Sequence, residues 1–361
     1  MRDDLYLPPD YLFLDEATAG ARIREHLRKQ GAALGLWAHL YQRAALVDLA
    51  TFHGDGVALA ARAARRPWPK RVVCASVRFV AENARLLMPP ESGVWWVDPE
   101  AGCPMSDPIA RARLETAIDA IRARRPYDRL LPLVSVTSSL EVKALAGELG
   151  GATVGSSNAA RLLAWGLGIA ERVLWSPDPS LLANVAAKAG LTPDQILAWR
   201  EDEPPSEAAL EHARVICIAN PCAILAQFRV ADVAAARAAS PGATVLVQQD
   251  LPGEVVAAAD GAGPLATLAE LAAARPRHST VVLGSEIHAV ENLAAEIPDR
   301  TFKPLATTFC GSMYSITLGG TLHVLDHLDD CAAAPPMAID ERLAEPARSA
   351  LARMLDIGES A

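Results

Sequence analysis

Apolar and polar positions divide the chain into two kinds of segment. Short apolar runs that close on polar residues predict buried strands, because they are too brief for helices and turn formers flank them. The most distinct runs are 34–39, 130–137 and 243–250. Other apolar runs predict further strands at 72–77, 93–97, 172–175, 215–218 and 279–283.

Ala-rich segments of helical length lie between these runs. They predict helices at 56–64, 108–124, 158–167, 179–189 and 230–239. Strands alternating with such helices are typical of βαβ units and parallel sheets. The chain has 361 residues, which is enough for two or three compact units.

Polar residues close the first strand of each predicted unit. They are His39, Ser135 with Thr137, and Gln248 with Asp250. A parallel sheet binds its ligand beyond the carboxyl ends of its strands, so we expect the chemistry at these positions.

A cysteine follows each of these strand ends. The intervals are 64 residues from His39 to Cys103, 62 from Gln248 to Cys310 and 87 from Ser135 to Cys222. The acidic, Pro-bearing stretch 199–207 reads as an insertion that lengthens the middle interval. We therefore predict three pseudo-symmetric, three-layer α/β/α domains with short parallel sheets. Their ranges are 20–127, 128–238 with an insertion near 199–212, and 239–320, followed by a helical tail at 321–361.

Composition narrows the classes of partner. The hydrophobic fraction of 51% and the charged fraction of 21% are typical of a globular protein. The net charge of -9 comes without a basic stripe, which argues against a nucleic-acid partner. The densest basic run, 62–71, is best interpreted as a solvated helix end.

The ends and the hydropathy of the chain bear on location. Residues 1–4 carry charges of both signs and precede Pro8 and Pro9, which is unlike a secretory leader. No window reaches the ~18 apolar residues that span a bilayer. We therefore expect a cytoplasmic protein without a membrane partner, and a homo-oligomer remains open.

Six cysteines in a reducing compartment are expected to be buried packing residues, catalytic thiols or metal ligands rather than disulfides. Cys103, Cys222 and Cys310 lie in turn-like settings, the second of them in Asn220-Pro221-Cys222. Cys74 and Cys217 lie inside apolar runs, and Cys331 lies near the tail, so we interpret these as structural or incidental. Three ligands from three loops would suit a cluster with one iron open to substrate.

Several segments resemble motifs of one enzyme family. His39-Leu40-Tyr41-Gln42 is similar to the His-x-Tyr-Gln that closes the first strand in quinolinate synthases. Other segments resemble that family's motifs in the family's order, namely 77–84, 100–107, 141–144, 156–159, 177–178 and 310–318. The chain is thus identified as a member of the quinolinate synthase family over about residues 30–320.

The resemblance implies a cofactor and a reaction. It carries the ligands of one [4Fe-4S] cluster over to Cys103, Cys222 and Cys310. It makes His39 and Tyr41 candidates for substrate contact and acid–base work, with Ser156 as a third catalytic candidate. The family's enzyme condenses iminoaspartate with dihydroxyacetone phosphate to form quinolinate. Thiolates suit such clusters, and an iron with a vacant position is a Lewis acid.

The chain also departs from the family pattern. Gly56 stands where the family has a Ser, Pro264 stands in an expected Ser-Thr pair, and Leu225 replaces a His near Cys222. Where the family has Tyr-x-Asn, this chain has Ser135-Val136-Thr137. Where the family has His-Pro-Glu, it has Gln248-Gln249-Asp250. We expect Ser135, Thr137, Asn158, Gln248 and Asp250 to bind a small-molecule substrate that differs from the usual pair.

Three functions are therefore weighed. The leading hypothesis is a quinolinate-synthase-like lyase or cyclising dehydratase that forms a pyridine carboxylate or a related ring from small oxygenated precursors. The first alternative is a true quinolinate synthase of NAD biosynthesis. The second is a non-catalytic cluster-bearing protein that senses oxygen or iron.

Overall fold

The computed structural model describes residues 7–218 and 221–359. Residues 1–4, on which the expectation about a leader rests, and Asn220 lie outside the described residues. The helices are α1 (Pro9–Leu12), α2 (Glu16–Gln30), α3 (Ala44–Val47), α4 (Gly56–Ala64), α5 (Arg78–Leu87), α6 (Arg111–Arg122), α7 (Leu140–Glu148), α8 (Ala159–Ile169), α9 (Pro179–Ala186), α10 (Glu207–His212), α11 (Val230–Ala239), α12 (Gly253–Ala258), α13 (Leu265–Ala273), α14 (Ile287–Glu296), α15 (Gly311–Tyr314), α16 (Leu318–Asp326) and α17 (Glu341–Glu359).

The strands form three all-parallel sheets. They are β1 (Leu34–His39), β2 (Phe52–Gly54), β3 (Arg71–Ala75), β4 (Gly93–Trp96), β5 (Leu130–Ser135), β6 (Ala152–Val154), β7 (Arg172–Trp175), β8 (Ile196–Ala198), β9 (Val215–Cys217), β10 (Thr244–Gln248), β11 (Gly261–Gly263), β12 (Thr280–Gly284) and β13 (Thr301–Pro304). The sheet orders are β2-β1-β3-β4, β6-β5-β7-β9-β8 and β11-β10-β12-β13.

The three sheets share one connectivity. In each, the first strand in sequence pairs with the second and the third, and one later strand pairs with the third on its far side, namely β4, β9 or β13. The second sheet adds the short strand β8 outside β9. Three parallel sheets flanked by helices confirm the predicted α/β class. The repeated strand order is what a triplicated unit predicts, although the predicted domain boundaries stay a prediction.

The chain divides into two compact units, which are described separately. Unit 1 comprises residues 1–103 and 309–339, and unit 2 comprises residues 104–308 and 340–361. Unit 1 contains the first sheet, and unit 2 contains the other two.

Buried apolar runs explain the central strands. All six residues of β1 are buried, and Trp37 is packed inside the core of unit 1. In unit 2, Leu133 and Trp175 lie in one hydrophobic cluster with α8 and α9, while Val134 and Leu174 lie in another with α6 and α7. Because both faces of the sheet are covered, its strands are continuously apolar rather than alternating.

The C-terminal helix α17 packs on α7 and β6 within unit 2. Gly147 of α7 permits a close approach, because a Cβ there would lie 1.8 Å from the backbone oxygen of Pro346. The far end of α17 is held by Arg161, whose guanidinium donates to the backbone oxygen of Gly358. Among the described residues, no helix is long and apolar enough to cross a membrane.

Candidate functional site

His39 closes β1 in unit 1 and is nearly buried. The backbone N–H of Tyr41 donates to His39 Nδ1 at 3.1 Å. Burial lowers the pKa of His39 to about 4. The ring is therefore neutral at ordinary pH and carries its proton on Nε2, which makes it a hydrogen-bond donor.

Tyr41 lies beside this imidazole. The two rings meet edge to face, with centroids 4.9 Å apart. The turn that follows is fixed by Gln42, whose Nε2 donates to the backbone oxygen of Met313 at 3.0 Å. Met313 belongs to α15, the helix that directly follows Cys310. The structure thus ties the turn carrying His39 and Tyr41 to the segment carrying Cys310.

The cysteines differ in exposure. Cys103, Cys222 and Cys310 are half-buried, and Cys331 is exposed. Cys74 and Cys217 are buried in strands, and burial raises the pKa of both thiols, that of Cys217 to about 12 with the charge of Asp178 as a second cause. Cys103 and Cys310 both pack against the core of unit 1. Cys222 packs on the third sheet's cluster in unit 2.

Hydroxyl groups pair at the carboxyl end of β5. Ser135 Oγ and Thr137 Oγ1 are 2.8 Å apart, and Ser106 Oγ also hydrogen-bonds Thr137 Oγ1. Ser106 is almost fully buried. The sequence analysis did not single out Ser106, although it lies within the recognised segment 100–107.

A second polar group joins the ends of β6 and β10. Ser156 Oγ donates to Asp250 Oδ2 at 2.6 Å, and Gln249 Nε2 donates to the backbone oxygen of Ser156 at 2.6 Å. Asn184 Nδ2 in turn donates to the backbone oxygens of Gln249 and Leu251. Two predicted site residues, Ser156 and Asp250, are therefore brought into direct contact.

Gln248 and Asn158 have other neighbours. Ser285 Oγ donates to Gln248 Oε1 at 2.6 Å. Ser285 follows β12. A search for polar residues beyond the carboxyl end of the predicted strand at 279–283 could therefore have found it. Asn158 Oδ1 accepts from the backbone N–H of Gly155, and its amide lies against Gly358, where a Cβ would be 3.2 Å from Nδ2. Asn158 is thus packed against α17.

The end of β7 carries a carboxylate that the sequence analysis noted only within a motif. Asp178 is buried and accepts the backbone N–H of Cys222 at 2.8 Å. Burial raises the pKa of Asp178, while donated backbone N–H groups act in the opposite direction. Ser176, two residues earlier, is also buried, and within the described part of the chain its hydroxyl has no hydrogen-bond partner.

Two negative findings limit the site. Within residues 7–218 and 221–359, no group of three or more His, Cys, Asp and Glu side chains could hold a metal ion. A cavity in unit 2 is lined by Asp128, Glu171, Arg172 and Arg214 among others. It lies at the amino ends of β7 and β9 and contains no predicted site residue.

Comparison with known proteins identifies relatives over nearly the whole chain. The family model for quinolinate synthetase A protein matches residues 21–356. A quinolinate synthase from Corynebacterium glutamicum is 33% identical over 97% of this chain and 90% of its own. Quinolinate synthases from Halalkalibacterium halodurans and Geobacillus kaustophilus are 31% and 30% identical, each over 97% of this chain and 96% of its own.

Proposed function

Because the chain belongs to the quinolinate synthetase A family, we propose that it is a quinolinate-synthase-like enzyme of the cytoplasm that binds one [4Fe-4S] cluster. In this proposal it acts as a lyase or cyclising dehydratase on small oxygenated precursors. The product is a pyridine carboxylate or a related ring. Family membership supports a quinolinate-synthase-like enzyme with a cluster. The groups at the strand ends of unit 2 support a different substrate and product.

The chemistry of the proposed donors suits the cluster. Cys103, Cys222 and Cys310 are half-buried on loops, whereas Cys74 and Cys217 are buried in strands with thiol pKa values raised by burial. Thiolates are the usual ligands of iron–sulfur clusters. When bound, such a cluster would supply a Lewis acid that helps a hydroxyl group leave.

The chain's own residues bind and orient the substrate in this proposal. His39 donates through Nε2–H, since its Nδ1 is occupied by the N–H of Tyr41. Ser156 donates its hydroxyl proton to a hydrogen bond with Asp250 Oδ2, which orients Oγ so that it can accept a hydrogen bond from the substrate. Tyr41, whose ring lies beside His39, adds a hydroxyl donor to the imidazole N–H.

The observation that favours an altered substrate is the chemistry of the other strand ends. Ser135, Thr137 and Gln248 offer neutral hydroxyl and amide groups, which bond to each other or to Ser106 and Ser285. A hydrogen bond to a substrate carboxylate contributes about 1.5–3 kcal/mol, so the loss of several weakens dicarboxylate binding by orders of magnitude. Ser135 and Thr137 are shorter than the Tyr and Asn of the family pattern, and Gln248 stands in place of a His, so these strand ends suit a different substrate.

The test begins with the cysteines. We expect Cys103→Ala, Cys222→Ala and Cys310→Ala each to abolish the brown absorbance of anaerobically prepared protein. The matched controls Cys74→Ala, Cys217→Ala and Cys331→Ala should keep it. A variant among the first three that keeps a full complement of iron contradicts the ligand set.

The substrate is tested separately, with the cluster-loaded protein under anaerobic conditions. Iminoaspartate and dihydroxyacetone phosphate are supplied, and quinolinate is measured by chromatography. We expect little or no quinolinate from this chain. Formation at the rate of the Corynebacterium relative, assayed in parallel, would support a true quinolinate synthase and defeat the altered substrate.

A further inference from the structure

Asp178 bridges two elements of unit 2. It follows β7 and caps α9, where its Oδ1 accepts the backbone N–H of Ser180 at 2.7 Å and that of Leu181 at 3.4 Å. Its Oδ2 accepts the backbone N–H of Cys222 at 2.8 Å. One carboxylate therefore connects the start of a helix to the turn that carries a cysteine.

The cysteine is held from both sides. The N–H of Cys222 donates to Asp178, and the carbonyl of Cys222 accepts from the N–H of Ala226 at 2.9 Å. The backbone of Cys222 is therefore fixed, while its side chain remains half-buried. This arrangement constrains where the thiol can project.

The carboxylate itself has little freedom. Asp178 is only 4% exposed. A buried carboxylate is stable only when its oxygens accept hydrogen bonds, and both oxygens of Asp178 do so. Because the same carboxylate accepts from α9 and from Cys222, it fixes the turn at Cys222 relative to the start of α9.

We propose that Asp178 is a positioning residue that places Cys222 for cluster binding. The inference rests on the proposed function, since it needs Cys222 to be a cluster ligand. Residues that orient metal ligands through hydrogen bonds commonly change metal affinity by about 10–100-fold when they are replaced. Asp178 acts through the backbone of Cys222 and does not touch the iron in this proposal.

Asp178→Asn separates this role from helix capping. Asn caps helices about as well as Asp, so one oxygen can still serve α9. With the Asn oxygen on α9, the amide NH₂ faces Cys222 and cannot accept its N–H. The hydrogen bond to Cys222 is therefore lost, while the volume of the side chain is kept. The matched control is Asp55→Asn, because Asp55 caps α4 by accepting the N–H of Ala58 at 2.8 Å. Among the described hydrogen bonds, none joins Asp55 to a cysteine.

The full chain is reconstituted anaerobically with iron and sulfide, and three quantities are measured. They are iron and sulfide per chain, the rate of iron loss to a chelator, and the reduction potential of the cluster. We expect Asp178→Asn to lose iron about 10–100-fold faster than wild type. Its potential should differ from that of wild type, because a hydrogen bond that places a cluster ligand has been removed. Asp55→Asn should match wild type in all three.

The outcomes separate the two proposals. Equal iron loss in Asp178→Asn and wild type, with Cys222→Ala devoid of cluster, overturns the role of Asp178 and leaves the proposed function standing. A wild-type chain that takes up no cluster overturns both. A potential unchanged in Asp178→Asn, together with a melting temperature far below that of Asp55→Asn, reassigns Asp178 to stability alone.

Discussion

Replacing Gly147 by Ala tests how α17 is seated on α7. An added Cβ would lie 1.8 Å from the oxygen and 2.6 Å from the carbon of the Pro346 carbonyl. Backbone atoms cannot rotate away as a side chain can, so the two helices must separate. Most Gly→Ala changes inside helices stabilise the protein by up to about 1 kcal/mol. A loss of stability in Gly147→Ala would therefore be opposite to the usual effect.

The magnitude follows from what α17 buries. Leu351 and Met354 are fully buried. Exposing such side chains costs about 1.5–3 kcal/mol each, and a partial shift that overpacks the interface costs about 1–3 kcal/mol. If one such side chain is exposed and the interface is also overpacked, then after the gain of about 1 kcal/mol from Ala is subtracted we expect Gly147→Ala to lower the free energy of unfolding by about 1.5–5 kcal/mol.

The assay compares two glycines in helices of the same unit. A Cβ added at Gly168 of α8 would meet no atom within 4 Å, so Gly168→Ala should be neutral or stabilising by about 0.5–1 kcal/mol. Urea unfolding followed by circular dichroism gives both values. Hydrogen exchange over residues 341–359 shows whether α17 has loosened. If Gly147→Ala stabilises as Gly168→Ala does, with exchange unchanged, the described packing is wrong.

Two further predictions concern the site. His39 has a pKa of about 4, below its ordinary value, so the unfolded chain binds a proton first as pH falls. The stability that this residue contributes is present above about pH 6.5 and is lost toward pH 4. His39→Gln should therefore reduce the dependence of the urea midpoint on pH between pH 7 and pH 5. An unchanged dependence would argue against a buried neutral ring. For Ser156 and Asp250, 2.6 Å apart, a double-mutant cycle with Ala should give a coupling of about 1–2 kcal/mol. Additive losses would mean that the bond is not formed in solution.

Sequence predicted the central strands because each is a buried apolar run. The predicted runs at 34–39 and 172–175 coincide with β1 and β7. Of the edge strands, β4 was predicted at 93–97, and the others escaped prediction for physical reasons. β2, β6, β8 and β11 have three residues each, and β13 is mostly exposed. Their conformation is set by pairing with a neighbour that is distant in sequence, which a local pattern does not contain.

The same limit applies to the site. The apolar runs correctly predicted that Ser135 and Gln248 lie at the carboxyl ends of strands. Their partners Ser106 and Ser285 come from other segments, and the pairing depends on how loops fold back. The packing of Asn158 against Gly358 joins residues about 200 positions apart, so its amide orientation could not be read from the motif.

Contacts within each unit also bear on which family motifs this chain retains. In unit 1, Gln42 bonds Met313 and Arg43 bonds the backbone of Ile316, so the turn after β1 and the segment after Cys310 hold each other in place. A change in either segment would disturb both. In unit 2, Ser135 and Gln248 project from strand ends whose backbone pairing is independent of their side chains. Such side chains can be exchanged without refolding the sheet, so the departures from the family pattern that the sequence predicts at the ends of β5 and β10 are compatible with the fold.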